Sequence, residues 1–319
     1  MPRWRVPFLV TILVLAPMLA ARAQGPVDLR GDSGLLMELK PTGVVWYGPD
    51  QLLVCDERFN DFHIFDLQGR RFKLLEYPRN LPIACYSALT PLDDKVYLAA
   101  GSHYHDKNNV RYVNARAVIH RAAVSYESLD PSTGETNWSP DRALRTTGNF
   151  GESPRHQLYL QGLAIDPKQK RVFFGVSRPL TDQGTILIYE GKLDPFLARD
   201  KDFELKELKT DLKPALDPAT GTPYHLADLT YVPGEGLLIL LASQAPGGKS
   251  FGSSQLWMLR GGFAPPKLIL KDIAPGNRGA GVAVRKEKDR LYTVAITFDN
   301  DPEETQIPSR LLILPGVKI

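Results

Sequence analysis

Residues 158–190, LYLQGLAIDPKQKRVFFGVSRPLTDQGTILIYE, contain three short apolar runs separated by turn residues. LQGLAID is ended by Pro167, RVFFGVS ends before Arg178, and TILIYE follows a loop that contains Gly184. Short runs that are rich in Val, Ile, Leu and Phe and bounded by breakers favour strands over a buried helix. This stretch therefore predicts a unit of three antiparallel strands.

The same order of runs occurs four more times along the chain. The other copies are GVVWYG, QLLVCDE and FHIFDLQG (43–69), YSALTPL, KVYLAAGSH and AVIHRAAV (86–124), LADLTYVPGEGLLILLASQ with QLWML (226–259), and GAGVAVRKEKDRLYTVAIT with RLLIL (279–314). Repeated units of this size are typical of a β-propeller, whose blades are four-stranded sheets. We predict an all-β propeller of five blades, with six as the alternative count. The irregular spacing of the copies leaves a β-sandwich open.

The apolar segment GLLMELK (34–40) precedes the first copy, whereas the last copy shows only three strands. A strand from the N-terminal side that joins the last blade would remove an exposed sheet edge. We therefore predict that residues 34–40 close the last blade. The alternative is an ordinary outer strand of the first blade.

Residues 1–23 have the pattern of an export signal. Arg3 and Arg5 precede the apolar run VPFLVTILVLAPMLA (6–20), and residues 21–23 form an Ala-Arg-Ala cleavage pattern. The run is too short for a stable membrane span of about 20 residues. We predict a signal peptide at 1–23, one domain at 24–319, no membrane span, and a periplasmic or secreted location.

The charge balance argues against a nucleic-acid partner. The chain has 39 Lys and Arg against 36 Asp and Glu, and three of the arginines lie in the predicted signal. The predicted mature chain therefore carries no basic excess. The two cysteines, Cys55 and Cys85, fall at the same end of neighbouring units. In an exported protein such a pair favours a disulfide, and two buried free thiols are the alternative.

Antiparallel geometry places the start of strand one and the end of strand two of every unit on the same face. The connections after strand two are also the longer ones, and long loops on a rigid scaffold are where binding usually occurs. We predict a ligand-binding funnel on this face. Its candidate residues are polar and follow or precede the apolar runs: Asp56, Glu57, Ser102, His103, Gln161, Ser177, Arg178, Asp228 and Arg278.

The candidate residues allow several chemistries. Arg178 and Arg278 suit a phosphate or carboxylate, and His103 with His105 has the spacing of two metal ligands on one side of a strand. Carboxylates at 56, 57, 228, 299, 301 and 303 are a weak indication of Ca²⁺, because no calcium-loop spacing is present. The sequence also lacks a P-loop, a G-x-S-x-G elbow, an H-E-x-x-H and a C-x-x-C motif. We therefore expect no cofactor and no metal.

Four blocks of the chain resemble a known family. They are LLVCDERFNDFHIFDLQG (52–69), KVYLAAGSH (95–103), LQGLAIDPKQKRVFFGVSRPL (160–180) and HLADLTYVPGEGLLILLAS (225–243). They look like a bacterial exported family known only as a domain of unknown function, which is similar to the esterase-like phytase propellers. The resemblance spans roughly residues 40–300 and implies a propeller fold and export.

The resemblance has two departures that concern activity. Relatives typically carry Glu where this chain has Gln161, and the corresponding place in the second unit reads Ser87-Ala88-Leu89. Asp228 stands where an Arg or an acid is often found. Because Gln neither takes a proton nor carries charge, the departure at 161 counts against acid–base or metal-dependent activity.

Three functions follow from the sequence, and the third is a structural assembly hub, which the sequence does not separate from the first. The first is a noncatalytic exported propeller that binds a small polar or anionic ligand, or an envelope protein, at the funnel. The second is a hydrolase of phosphate or carboxyl esters, in which Asp56, Glu57 and His103 hold a metal or water and Arg178 binds the anion.

Overall fold

The computed structural model describes residues 25–59, 61–75, 86–93, 96–102, 118–123, 139–145, 159–198, 204–248, 250–260 and 264–319, with backbone alone at 96, 118–123 and 139–145. Within these residues the strands form five four-stranded antiparallel sheets and one two-stranded hairpin. No helix in the same ranges has the length and apolar character needed to cross a membrane.

Each sheet is built from strands that follow one another along the chain. The first sheet holds β4 (Pro41–Trp46), β5 (Gln51–Asp56), β6 (Phe62–Asp66) and β7 (Arg71–Leu75), and the second holds β8 (Tyr86–Pro91), β9 (Val96–Gly101), β10 (Val118–Ala123) and β11 (Ser139–Arg145). The third holds β12 (Tyr159–Asp166), β13 (Arg171–Arg178), β14 (Leu187–Lys192) and β15 (Lys206–Leu208), and the fourth holds β16 (His225–Val232), β17 (Gly236–Gln244), β18 (Phe251–Leu259) and β19 (Lys267–Ile273).

The fifth sheet combines strands from both ends of the described chain. It holds β20 (Gly279–Lys286), β21 (Leu291–Phe298), β22 (Arg310–Lys318) and β1 (Val27–Asp28). The hairpin is β2 (Arg30–Gly31) with β3 (Gly34–Leu35), and the two short helices are α1 (Leu193–Ala198) and α2 (Pro302–Thr305).

The hydrophobic core lies between neighbouring sheets. Five buried clusters each draw side chains from two sheets that follow one another, and one of them joins the fifth sheet to the first. The first strands also contact one another in the order β4, β8, β12, β16, β20 and back to β4. Apolar side chains on both faces of a strand require neighbours on both sides, which explains the continuous apolar runs. This is the arrangement of a β-propeller, so the prediction of an all-β propeller is confirmed and the β-sandwich is excluded.

The predicted closing strand is wrong in its position. Residues 27–28 pair with Leu311 and Arg310 of β22, whereas Gly34 and Leu35 pair back onto β2. The apolar segment 34–40 instead sends Leu39 into the buried cluster that also contains Leu29. The segment is apolar because it covers the junction of the first and fifth sheets.

The predicted disulfide is not found. Cys55 is a buried free thiol, and Cys85 lies outside the described residues. The Cys55 sulfur lies 3.2 Å from Thr42 Oγ1 and accepts a hydrogen bond of 3.2 Å from the Gly43 N–H. Burial raises the pKa of the Cys55 thiol to about 12, although these two hydrogen bonds act in the opposite direction. The thiol is therefore protonated and unreactive, as expected of a structural buried cysteine.

Candidate functional site

An irregularity in strand pairing recurs at the same place in all five sheets. Near the start of each first strand, the register against the second strand shifts, so that residues on the first strand are left without a cross-strand partner. The unpaired positions are Thr42 with Gly43, Ser87, Gln161, Ala227 and Ala280. An extra residue in one strand redirects its side chain. The bulges therefore aim one position of each sheet toward the centre of the ring.

A cavity of about 620 Å³ opens where the bulges converge. We call it the funnel cavity. Four of the five bulges contribute to its wall, through Thr42, Gln161, Ala227 and Ala280. The remaining wall residues come from the starts of first strands, the segment just before β16, the ends of second strands and the loops that follow the second strands. Those with polar side chains are Glu57, Tyr159, Ser177, Arg178, Thr222, His225, Ser243, Gln244, Arg278 and Asp299.

The structure brings together five of the nine residues predicted for the funnel. Glu57, Gln161, Ser177, Arg178 and Arg278 all line the funnel cavity. Ser102 is buried outside this wall, and its carbonyl accepts a hydrogen bond of 2.7 Å from the Leu160 N–H. His103 lies outside the described residues.

Asp56 is on the predicted face but does not reach the cavity. It is buried, and its Oδ1 accepts hydrogen bonds from the Lys40 N–H at 3.3 Å and the Arg58 N–H at 2.9 Å. The second oxygen lies 3.7 Å from His63 Nε2. A carboxylate that caps a turn in this way holds the loop after β5, which is the common local role of Asp at such positions.

Asp228 is also excluded from the cavity, because its side chain is buried between the fourth and fifth sheets. One carboxyl oxygen accepts from the Leu229 N–H at 2.8 Å, and the other accepts from the Val282 N–H at 2.8 Å. Burial raises the pKa of Asp228 well above its ordinary value, against the effect of these two hydrogen bonds. Asp228 therefore joins two sheets through its two carboxyl oxygens and does not face a ligand in the funnel cavity.

The two predicted arginines differ in how they are held. Arg278 forms an ion pair with the buried Asp299, donates from Nε to the Asp299 carbonyl at 3.1 Å, and donates from Nη1 to Gln244 Oε1 at 3.2 Å. Burial opposes its charge, yet Asp299, Tyr159 and Glu57 hold the pKa of Arg278 above its ordinary value. Arg278 is thus a fixed cation in the wall.

Arg178 is held differently. Among the described residues no carboxylate pairs with Arg178, although its side chain lines the funnel cavity and is exposed. It is the last residue of β13 and lies directly opposite Tyr159 in the antiparallel pair of β12 and β13. Opposite residues of such a pair project from the same face with their Cβ atoms about 5 Å apart.

Tyr159 connects this part of the wall to the first sheet. Its hydroxyl donates a hydrogen bond of 2.7 Å to Glu57 Oε1, which bridges residues 102 positions apart in the sequence. Tyr159 and Glu57 both act electrostatically on Arg278. A phenol, a carboxylate and two guanidinium groups therefore share one side of the funnel cavity.

His225 begins β16 and lies on the adjacent part of the wall. Its Nδ1 is 3.1 Å from the Ser177 carbonyl, and because a carbonyl can only accept, Nδ1 carries the hydrogen. Burial, and then the charge of Arg178, lower the pKa of His225, while the Ser177 carbonyl opposes the shift. The ring is therefore neutral at pH 7, and Nε2 is left as an acceptor.

Sequence reasoning missed Tyr159 and His225 as wall residues, and it named Asp299 only as a weak calcium candidate. Tyr159 lies within an apolar run, where an aromatic residue is expected to belong to the core. His225 precedes the apolar run of the fourth unit and could have been found from the rule that placed Gln161, since both stand near the start of a first strand.

The predicted calcium ligands do not converge. Asp299 pairs with Arg278, Asp301 lies 2.8 Å from Lys40 Nζ, and Glu303 pairs with Arg58. Across the described ranges, no group of three or more His, Cys, Asp or Glu side chains is arranged to hold a metal ion. Ion pairing of the loop acids with basic residues explains why they lie on this rim.

No protein-family model matches the chain, and no curated protein matches it. Solved structures with a similar fold include the PQQ-bound aldose sugar dehydrogenase of Streptomyces coelicolor, at 16% identity and a TM-score of 0.46 over 92% of this chain and 97% of that one. Another is a putative glycosidase from Bacteroides thetaiotaomicron, at 8% identity and a TM-score of 0.48 over 88% of each chain. A GH43 glycoside hydrolase matches at 10% identity and a TM-score of 0.48 over 88% of this chain and 50% of that one. At these identities and TM-scores, the likenesses assign no activity to this chain.

Proposed function

We propose that the chain is a five-bladed propeller that binds a small anionic ligand, carrying a phosphate or carboxylate group, in the funnel cavity. In this proposal each of the five four-stranded sheets is one blade, and β1 closes the fifth blade. The observation that carries the proposal is Arg178, a cation on the cavity wall without a carboxylate partner in the described chain.

The chemistry around Arg178 fits an anion. Arg presents a planar fork of N–H donors that matches phosphate and carboxylate oxygens. Arg278 is paired with Asp299, which also lines the cavity, so among the described wall residues Arg178 is the cation without a carboxylate partner. Gln161, which likewise has no hydrogen-bond partner among the described residues, adds a neutral donor to the same wall.

The size and remaining lining of the cavity fit a small polar molecule. Ligand cavities commonly measure about 300–1,000 Å³ and place a few polar groups in fixed positions. The neutral ring of His225 supplies an acceptor at Nε2, and Ser177 supplies a hydroxyl group. Ser243 and Thr222 donate their hydroxyl hydrogens to Asp217 and to the Gln244 carbonyl, so their oxygens can only accept from a ligand. A ligand with one anionic group and several hydroxyl groups would meet partners on each side.

The hydrolase predicted from the sequence, in which Asp56, Glu57 and His103 hold a metal or water, has less support from the contacts of these residues. Of its three residues, Asp56 is held by backbone N–H groups, His103 lies outside the described residues, and Glu57 receives the hydrogen bond of Tyr159. Only Glu57 therefore faces the funnel cavity among the described members of that set.

The proposal also includes the sequence predictions of export and of a family resemblance. A signal peptide at residues 1–23 and export to the periplasm or beyond fit a binding protein for a small solute. Similarity to the exported family of unknown function and to the esterase-like phytases stays a proposal based on the four blocks of sequence.

Replacing Arg178 by Gln is expected to weaken anion binding about tenfold, because a hydrogen bond to a charged group contributes about 1.5–3 kcal/mol. The measurement is calorimetric titration of the purified chain with inorganic phosphate, sulfate and acetate at constant ionic strength. Arg290→Gln removes an exposed charge outside the cavity wall and should bind like the wild type. Saturable binding that is equal in all three proteins, or absent for all three anions, would contradict the proposal.

Replacing Gln161 by Glu is expected to lower the affinity for the same anion by about tenfold. The new carboxylate would stand in the wall that Arg178 shares, where it repels the anion and competes for the guanidinium group. Gln169→Glu makes the same chemical change at an exposed turn and serves as the control. An unchanged affinity in Gln161→Glu would place the anion elsewhere in the cavity.

A further inference from the structure

The pair formed by Tyr159 and Glu57 has the geometry of a nucleophile beside its base. The phenol oxygen and Glu57 Oε1 are 2.7 Å apart, within the range of about 2.6–3.2 Å at which a base takes the proton of an attacking hydroxyl group. Both side chains line the funnel cavity, so a ligand in the cavity has access to them. A hydrogen bond inside a packed core would not meet this condition.

The position of Arg178 places a bound anion beside the phenol. Tyr159 and Arg178 are directly opposite each other on β12 and β13, and both face the funnel cavity. An anionic group held by Arg178 therefore brings the rest of its molecule to within reach of the Tyr159 oxygen. Arg278 lies close enough to interact electrostatically with Tyr159, and it can stabilise negative charge that develops on the phenol.

A phenol nucleophile also suits an anionic substrate electrostatically. A carboxylate nucleophile would repel a negatively charged substrate, whereas a phenol stays neutral until its proton leaves. Glu57 accepts the hydrogen bond of this phenol and takes its proton at the moment of attack. We propose that Tyr159 is a nucleophile, with Glu57 as its base, toward negatively charged esters or glycosides held by Arg178.

The proposed reaction is a double displacement. The Tyr159 oxygen forms a bond to the electrophilic centre, the bond from that centre to the leaving oxygen breaks, and the phenol proton passes to Glu57. The leaving oxygen takes a proton from Glu57 or from water. Water then displaces Tyr159, which recovers its proton, so the net reaction is hydrolysis with no change of oxidation state.

The inference rests on the proposed anion site, and a chemical label separates the two. The probe is 4-(fluorosulfonyl)benzoate, an anionic sulfonyl fluoride that forms a sulfonate ester with an attacking phenol and releases fluoride. The full chain is labelled at pH 8 and the rate at each tyrosine is read by peptide mass spectrometry. Tyr231 is the internal control, because its hydroxyl group also hydrogen-bonds a carboxylate, that of Asp166, outside the cavity wall.

We expect Tyr159 to be labelled at least tenfold faster than Tyr231, and Glu57→Gln to remove that advantage. The first comparison uses the wild-type chain alone, so it does not depend on how a variant folds. Equal labelling of the two tyrosines, or a Tyr159 rate that is unchanged in Glu57→Gln, would overturn the inference.

A neutral probe distinguishes the nucleophile from the anion site. With phenylmethanesulfonyl fluoride, Tyr159 should keep its dependence on Glu57 but lose its dependence on Arg178. If the anionic probe has no advantage over the neutral one and Arg178→Gln has no effect on either, the anion site fails while the nucleophile stands.

Discussion

Replacing Gly281 by Ala is expected to destabilise the protein by about 3 kcal/mol, at the upper end of what overpacking usually costs. A Cβ atom at this position would stand 2.2 Å from the Thr42 carbonyl oxygen, 2.6 Å from Thr297 Oγ1 and 3.0 Å from Val44 Cγ1. The nearest of these atoms belongs to the backbone of β4, which cannot rotate away as a side chain can. The methyl group would therefore push the fifth sheet away from the first, at the junction that closes the ring.

Two other glycines provide controls for the Gly281→Ala variant. At Gly162 an added Cβ would meet only side-chain atoms of Leu229 and Leu226, the nearest at 2.7 Å, so Gly162→Ala should cost less. At Gly25 nothing lies within 4 Å, and Gly25→Ala should stay within about 0.5 kcal/mol of the wild type. Chemical denaturation measures all three. Equal stability of Gly281→Ala and Gly25→Ala would show that β20 and β4 are not in the contact described here.

The fold could be predicted from the sequence because the same order of apolar runs is repeated along the chain. Apolar runs such as RVFFGVS and GLLILLASQ are buried on both faces, and each occurs in a unit with the same order of strands. The repetition indicated the propeller more strongly than any single unit did. The closing strand could not be predicted from the sequence, because Val27 and Asp28 form a strand of only two residues, which is too short to show an alternating pattern. The segment 34–40 has a stronger apolar pattern than residues 27–28, but it is apolar because Leu39 packs into a buried cluster, not because it forms the closing strand.

The face of the site was also predictable, since antiparallel strands must bring Gln161, Ser177 and Arg178 to one end of the sheet. The individual roles were not predictable, because they depend on distances of a few ångströms between units. Asp56 and Glu57 are adjacent in the sequence, yet one caps a turn and the other faces the cavity. The hydrogen bond between Tyr159 and Glu57 joins different sheets, and no local sequence pattern predicts it. Asp228 has the polar side chain and the strand-start position expected of a site residue, but it is buried and links two sheets.

The second large effect is expected at Asp217, which precedes the fourth sheet and is buried. Its Oδ2 accepts hydrogen bonds from Ser243 Oγ at 2.7 Å, the Ser253 N–H at 2.9 Å and Ser253 Oγ at 3.3 Å, and its Oδ1 accepts from the Ala219 N–H at 2.7 Å. Burial would raise the pKa, but these donors outweigh it and hold the pKa of Asp217 well below its ordinary value. In Asp217→Asn, the new NH₂ group either faces these donors or displaces the Ala219 contact. We expect a loss of about 3 kcal/mol, the upper end of the cost of leaving buried polar groups unpaired.

The pH dependence of this loss tests its cause. Because the pKa of Asp217 is lower in the folded state than in the unfolded state, its contribution is fully present above the unfolded pKa of about 3.9 and is lost as the pH falls toward the folded pKa. The difference in unfolding free energy between the wild type and Asp217→Asn should therefore be constant above about pH 5 and shrink at lower pH. Asp211→Asn, at an exposed residue of the same loop, should show no such difference at any pH. A difference for Asp217→Asn that stays constant down to pH 3 would mean that the variant loses packing rather than a charged acceptor.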